Sequence, residues 1–313
     1  MGEPVAAATY YPSNDHPSDK ATFSYRITVP SSETVVVNGD LTERVDNGDT
    51  TTWSYEHRFQ QATYLTAIAI GDFEIREADP SKSGVPVRNA FASFLADEAE
   101  PIFDQQDEMI DAFEELFGPY PFDVYGSLVV PEGFGGALET QTLSIYGEDV
   151  RRYGGFAELV VAHELAHQWF GNHVTPQRWE DLWLNEGFAS YGEALWFEAS
   201  DPDFTYERWI REVWVPGPRH ESQVHRPDVD DLFSPAVYQR GAMALHALRL
   251  EVGDDVFFDI LRTWIVRFGG GNASTADFEA LSEELSGRDL DSLFESWLRT
   301  DQLPASLNGV ALR

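Results

Sequence analysis

The string His163-Glu164-Leu165-Ala166-His167 constrains this chain more than any other stretch of it. It lies within Phe156–Phe170, where apolar residues fall at helical spacing, so the segment is expected to be an amphipathic helix. A spacing of four puts the two imidazoles on one face, one turn apart, so that both reach one ion. Glu164 stands between them in sequence, and its carboxylate reaches a water on that ion without being a ligand. Two neutral imidazoles leave zinc short of a third protein donor. Glu186, in Trp183-Leu184-Asn185-Glu186-Gly187, opens a second helical run nineteen residues beyond His167 and supplies it. Three protein ligands leave one position for water, the arrangement of a catalytic site; a structural site is closed by a fourth ligand.

The chain has no cysteine, which excludes disulfides, thiolate metal sites and cysteine nucleophiles. One Zn2+ on nitrogen and oxygen donors is therefore the expected cofactor. The formal charge is −33, from 54 acidic and 21 basic residues, and Lys20 and Lys82 are the only lysines. Such a surface repels phosphate backbones and anionic membranes, so neither nucleic acid nor a membrane is expected as partner. It suits equally a protein that works in high salt and an ordinary acidic enzyme. No apolar run reaches the length of a bilayer span, and Met1-Gly2-Glu3-Pro4 lacks the regions of a secretory signal. A soluble, cytoplasmic protein is expected.

The expected fold class is α+β, with a β-rich domain over residues 1–96 and a mainly helical domain over 97–313. Thr22–Val29 alternates as a strand, and Val35-Val36-Val37 running into Asn38-Gly39-Asp40 predicts a hairpin. Thr50–His57 and Tyr64–Ile70 extend the antiparallel sheet. Ala99–Phe117 has helical spacing and is ended by Gly118-Pro119. A short β stretch spans Ser127 to Ile145, and beyond Gly154-Gly155 nearly everything reads as helix. Ser274 or Thr275 is expected to cap the helix containing Phe278, and Asp181 to cap the one carrying Glu186.

The stretch His163–Tyr191, HELAHQWFGNHVTPQRWEDLWLNEGFASY, resembles the M1 family of zinc aminopeptidases (gluzincins). The likeness extends to Gly136-Ala137-Leu138-Glu139-Thr140, to Tyr238-Gln239-Arg240-Gly241-Ala242, to Pro12–Thr22 and to Leu293–Pro304. It implies a thermolysin-like catalytic domain behind a partial N-terminal sheet domain, without the first strands of that domain and without a C-terminal helical one. It further implies hydrolysis of the N-terminal residue from peptides with a free N-terminus, with Glu164 as general base. In the family a strand lies along the substrate and its glutamate binds the α-amine; Gly136, Ala137 and Glu139 match it. Glu3 matches a second amine anchor, and Tyr238 the tyrosine that hydrogen-bonds the oxyanion. Leu138 and Thr140 depart from the family's Met and Asn. Three rivals remain open: a thermolysin-like endopeptidase, which has no use for Glu139; a non-catalytic binding member of the fold; and a hydrolase of lipid epoxides.

Overall fold

The computed structural model describes residues 4, 6–215 and 222–312. The chain divides into two compact units, Met1–Asp111 with Tyr120–Gln168, and Ala112–Pro119 with Trp169–Arg313. The architecture is α+β, strands first and helices after.

In the first unit, β1 (Lys20–Pro30), β2 (Thr34–Val37), β3 (Asp40–Asp46) and β4 (Thr50–Ala62) are followed by β5 (Ile68–Gly71), β6 (Phe73–Ala78) and β7 (Val87–Ala92). Then come the short α1 (Ala96–Ala99), α2 (Gln106–Phe117, counted with the second unit from Ala112 on), β8 (Ser127–Val129), β9 (Ala137–Leu138), β10 (Ser144–Tyr146) and α3 (Phe156–Ala166). Strands β1, β4 and β3 form one antiparallel sheet, and β2 pairs with β5 in another. A five-stranded mixed sheet runs β6-β7-β8-β10-β9, leaving β9 on its edge. Side chains alternate across a strand, and β2 uses both faces. Val35 and Val37 pack with Tyr25, Trp53 and Tyr55, while Val36 packs with Ala90, Leu128 and Leu138. That is why three consecutive valines are all buried.

Two local expectations fail. The Asn38-Gly39 signal does not close a hairpin, because β2 pairs with β5 and β3 with β4. Gly39 takes φ +81°, as such turns require, and a Cβ there would meet the Glu56 carbonyl oxygen at 2.4 Å. Asn38, however, is fully buried and its amide serves distant backbone groups, so the turn joins two sheets. Tyr64–Ile70 is not one strand: Thr63–Leu65 is a 3-10 turn and pairing begins at Ile68.

The second unit contains α4 (Trp183–Ser200), the one-turn α5 (Tyr206–Trp209), α6 (Gly241–Val252), α7 (Asp254–Phe268) and α8 (Thr275–Ser286). Its core is aromatic: Phe188 stacks on Phe170, and Phe278 meets Trp183, Phe188 and Trp264 edge-on. Ser274 caps α8 in a reciprocal capping box with Asp277. Asp181 does not cap α4, which starts without a side-chain cap. It accepts instead from the backbone N–H and hydroxyl of Thr275, at 3.0 and 2.7 Å. Among the described residues no helix is long and apolar enough to cross a membrane.

Candidate metal centre

Helix α3 is built from alanine, leucine and valine, and Ala157 and every residue of Val161–Ala166 is buried. The expected amphipathic helix is therefore a core helix, enclosed on all sides near its C-terminal end. Rigid surroundings suit a ligand pair. His163 stands in the last turn and His167 is the C-cap residue, still in helical backbone conformation. Their ring centroids are 4.6 Å apart with planes at 79°, and both rings are withdrawn from solvent. Glu186 lies in the first turn of α4 and is 3% exposed.

A ligand atom from each of His163, His167 and Glu186 lies within 4.8 Å of the other two. Three donors at zinc bond lengths around a single tetrahedral ion are separated by roughly 3.4 Å, so the spacing accommodates one ion. Two imidazole nitrogens and one carboxylate, with no thiolate in the chain, are a donor set suited to zinc.

A second grouping overlaps the first. Carboxylate oxygens of Glu139 and Glu164 and a ring nitrogen of His167 also lie within 4.8 Å of one another. Glu139 follows the edge strand β9 and is 2% exposed. Gly136 and Ala137, on and beside that edge, are half-buried. The departure at Thr140 is absorbed locally, because its buried hydroxyl donates to the Leu143 carbonyl within the following turn. The phenols of Tyr125 and Tyr146 are raised, by burial first of all, and the Glu164 charge adds to the effect in both.

Tyr238 is half-buried on a π-helical turn, Ala236–Arg240, that leads directly into α6. Such turns recur at functional sites. The turn is held against the start of α4 by glycines. A Cβ on Gly187 would meet the Gly241 Cα at 3.0 Å and the Val237 carbonyl oxygen at 3.3 Å. The residues next to Glu186 and Tyr238 thus touch backbone to backbone. Glu3 lies outside the described residues.

Among the described residues, His173, His225 and His246 join no such ligand cluster. His225 Nε2 stands 3.4 Å from Asp181 Oδ1. Burial pushes the Asp181 carboxyl up, but hydrogen bonds from His225 and Thr275 outweigh it and hold the group below its ordinary range. Sequence reasoning overlooked Gln168, next after His167. Its fully buried amide accepts from the Thr142 N–H at 2.8 Å and donates to the carbonyls of Glu139 and Glu164 at 3.3 and 3.4 Å. A polar residue directly after a ligand, where an apolar helix ends, was the available signal.

The family model for the peptidase family M1 domain matches residues 102–297, and that for the peptidase M1 N-terminal domain matches residues 2–65. Aminopeptidase M1 of Arabidopsis thaliana is 31% identical over 322 residues, covering 96% of this chain and 36% of that protein. Aminopeptidase N of Streptomyces lividans is 32% identical over 323 residues, covering 94% and 37%. The chain thus spans little more than a third of the length of these relatives. An M1 zinc metallopeptidase from Deinococcus radiodurans superposes with a TM-score of 0.87 at 33% identity, over 98% of this chain and 70% of the other. A variant from the same organism, bound to a Tyr-Ser-Ala substrate, superposes with a TM-score of 0.88 at 32% identity, with the same coverage.

Proposed function

The chain belongs to peptidase family M1, and from that premise we propose that it is a zinc aminopeptidase removing the first residue from peptides with a free N-terminus. The observation that carries the reading is the Glu139 carboxylate within 4.8 Å of both the Glu164 carboxylate and a nitrogen of His167. A buried carboxylate rewards a terminal ammonium through a charge-assisted hydrogen bond. Placed that close to the hydrolytic centre, it leaves room for one residue between the amine and the scissile bond. A blocked or internal peptide has no charge to offer it and pays the desolvation of Glu139 without return.

His163, His167 and Glu186 would hold the zinc. When bound, zinc lowers the pKa of a water and polarises the scissile carbonyl. Glu164 takes a proton from the attacking water and then delivers it to the departing amine, acting first as base and then as acid. Tyr238 donates a hydrogen bond to the oxygen on which charge develops, a contact worth most in the transition state. The edge strand β9 offers Gly136 and Ala137 to an extended substrate backbone, as sheet edges do. The division near residue 96 belongs to this proposal as well, since it falls between the two family matches at 2–65 and 102–297.

The test compares aminoacyl anilides bearing a free amine with their N-acetylated counterparts, with and without a zinc chelator. Chelator-sensitive cleavage confined to the free-amine substrates is the expected result. Cleavage of the blocked substrates at a comparable rate would favour an endopeptidase and remove the role given to Glu139.

A further inference from the structure

The loop that presents Glu139 is gripped by two buried side-chain amides from other parts of the first unit. Gln168 ties three backbone groups with one planar amide: its Oε1 accepts from Thr142 N–H at 2.8 Å, and its Nε2 reaches the carbonyls of Glu139 and Glu164 at 3.3 and 3.4 Å. From the other side the Asn38 amide donates to the Gln141 carbonyl at 2.6 Å and to the Leu65 carbonyl at 3.1 Å. The Asn38 Oδ1 accepts from Ala67 N–H at 2.6 Å, so every strong position of this amide is used. Gly39 N–H donates to the Thr142 hydroxyl at 2.9 Å, closing the brace.

Thr142 itself is bent into the left-handed region at φ +68°. A β-branched side chain avoids that region, and an outlier of this kind persists only where its surroundings over-determine it. Here they do: Thr142 is 2% exposed and bonded through both its backbone N–H and its hydroxyl. Asn38, Gln141 and Gln168 are all fully buried.

We infer that Gln168, with Asn38 holding Gln141 and Gly39 holding Thr142 from the other side, is a positioning residue that fixes the amine anchor Glu139 against Glu164 and His167. The inference rests on the reading of Glu139 as that anchor. Gln168 does not touch substrate. It sets where the carboxylate sits relative to the helix that carries the metal ligands and the base. Residues that orient such groups from behind commonly account for 10- to 100-fold effects, as a rough scale. Because the ammonium contact is made in the ground state and in the transition state alike, its misplacement raises KM and leaves kcat largely intact.

The experiment uses the full chain and a free-amine alanyl anilide, with Gln168→Met, Thr142→Gly and Glu139→Gln measured beside the parent for KM, kcat and zinc content. Gln168→Met keeps the length and apolar contacts and removes the three bonds. Thr142→Gly keeps the N–H that Gln168 grips but removes the hydroxyl held by Gly39 and frees the backbone between them. It thus loosens the same brace from its other end and decides alone if Gln168→Met fails to fold. Expected is a rise in KM of about tenfold for both, kcat within about threefold, and zinc content equal to the parent. If Glu139→Gln raises KM while the other two leave it unchanged, the positioning role is wrong and the anchor stands. If Glu139→Gln also leaves KM unchanged, the anchor reading falls and this inference with it. If zinc and kcat are lost together with KM, Gln168 serves the metal helix as a whole and the inference is overturned.

Discussion

Two polar clusters in this molecule are built on opposite principles. In the first unit, Glu139, Glu164 and His167 gather acidic and imidazole groups within 4.8 Å of one another, and the amides of Gln168 and Asn38 hold the backbone around them. In the second unit, Arg249 is surrounded by groups that neutralise it. Its guanidinium donates to Glu198 at 2.7 Å, to Asp254 at 2.9 Å and to the Tyr206 hydroxyl at 2.9 Å, and it lies over the Phe258 ring at 5.0 Å. Those partners raise the Arg249 pKa against the opposing effect of burial. The second cluster is closed on itself and stabilises the packing of α4, α5, α6 and α7. The first brings two buried carboxylates beside an imidazole, an arrangement suited to the cations that the proposed reaction brings to it. The difference is the one expected between groups arranged for folding and groups arranged for the proposed chemistry.

The comparison breaks most visibly at Glu164. Glu164→Gln keeps the size of the side chain and removes its basicity. Turnover is expected to fall by about a thousandfold, within the range measured for general bases. Zinc content should match the parent, and the urea midpoint should be equal or higher, since a buried charge has been removed. A variant that lost stability instead would make Glu164 a structural group like those around Arg249.

The converse test is Arg249→Met. It leaves Glu198, Asp254 and the Tyr206 hydroxyl without their shared donor, and the expected cost is about 2 kcal/mol in urea unfolding. The figure is kept low because Glu198 and Asp254 retain 36% and 67% of their side-chain exposure and regain water. The kcat of the folded fraction should not change. A fall in kcat at full zinc occupancy would mean that the two clusters do not divide folding from chemistry.

How much of this was legible beforehand follows the same division. His163 and His167 announce themselves by spacing, because a helix converts an interval of four directly into proximity. Glu186 follows as the donor such a pair still needs at the start of the next helical run. The brace around Glu139 does not announce itself, since Asn38 and Gln141 are 103 positions apart and no periodicity links them. Asn38-Gly39 was misread for the same reason: its local signature is that of a hairpin, but tertiary bonds claim the side chain. Helix α3 is expected to be amphipathic from the helical spacing of its apolar residues, yet His163 and Glu164 are buried along with them. The Arg249 cluster was invisible, since its members on α4, α5, α6 and α7 carry no motif.

A further buried histidine flanks each cluster, His246 beside Arg249 and His57 beside the Gln141 side chain, and their pH responses sharpen the contrast by the smallest effect. His246 stacks on Tyr206 at 4.0 Å, and its Nδ1 stands 3.2 Å from the Tyr191 hydroxyl. Burial, and next the Arg249 charge, lower its pKa to about 3, against the opposing pull of Asp254. His57 accepts from the Gln141 amide through Nε2 at 2.8 Å, an amide whose orientation is fixed by its second bond to the Gln60 carbonyl. Burial lowers His57 to about 4, with Asp123 opposing. Both imidazoles are thus neutral when folded and titrate at their ordinary 6.5 when unfolded. Below that value the unfolded chain binds more protons, so stability rises with pH across the window. The contribution is fully present above pH 6.5 and is lost as the pH falls toward 4 for His57 and toward 3 for His246. Urea midpoints measured from pH 4.5 to 8 should therefore decline on the acid side. His246→Phe should flatten that decline more than His57→Gln, because Arg249 repels the extra proton at His246 and Asp123 welcomes it at His57. Equal slopes in the parent and both variants would mean that neither ring is held neutral, and that the charge around Arg249 does not reach its neighbour.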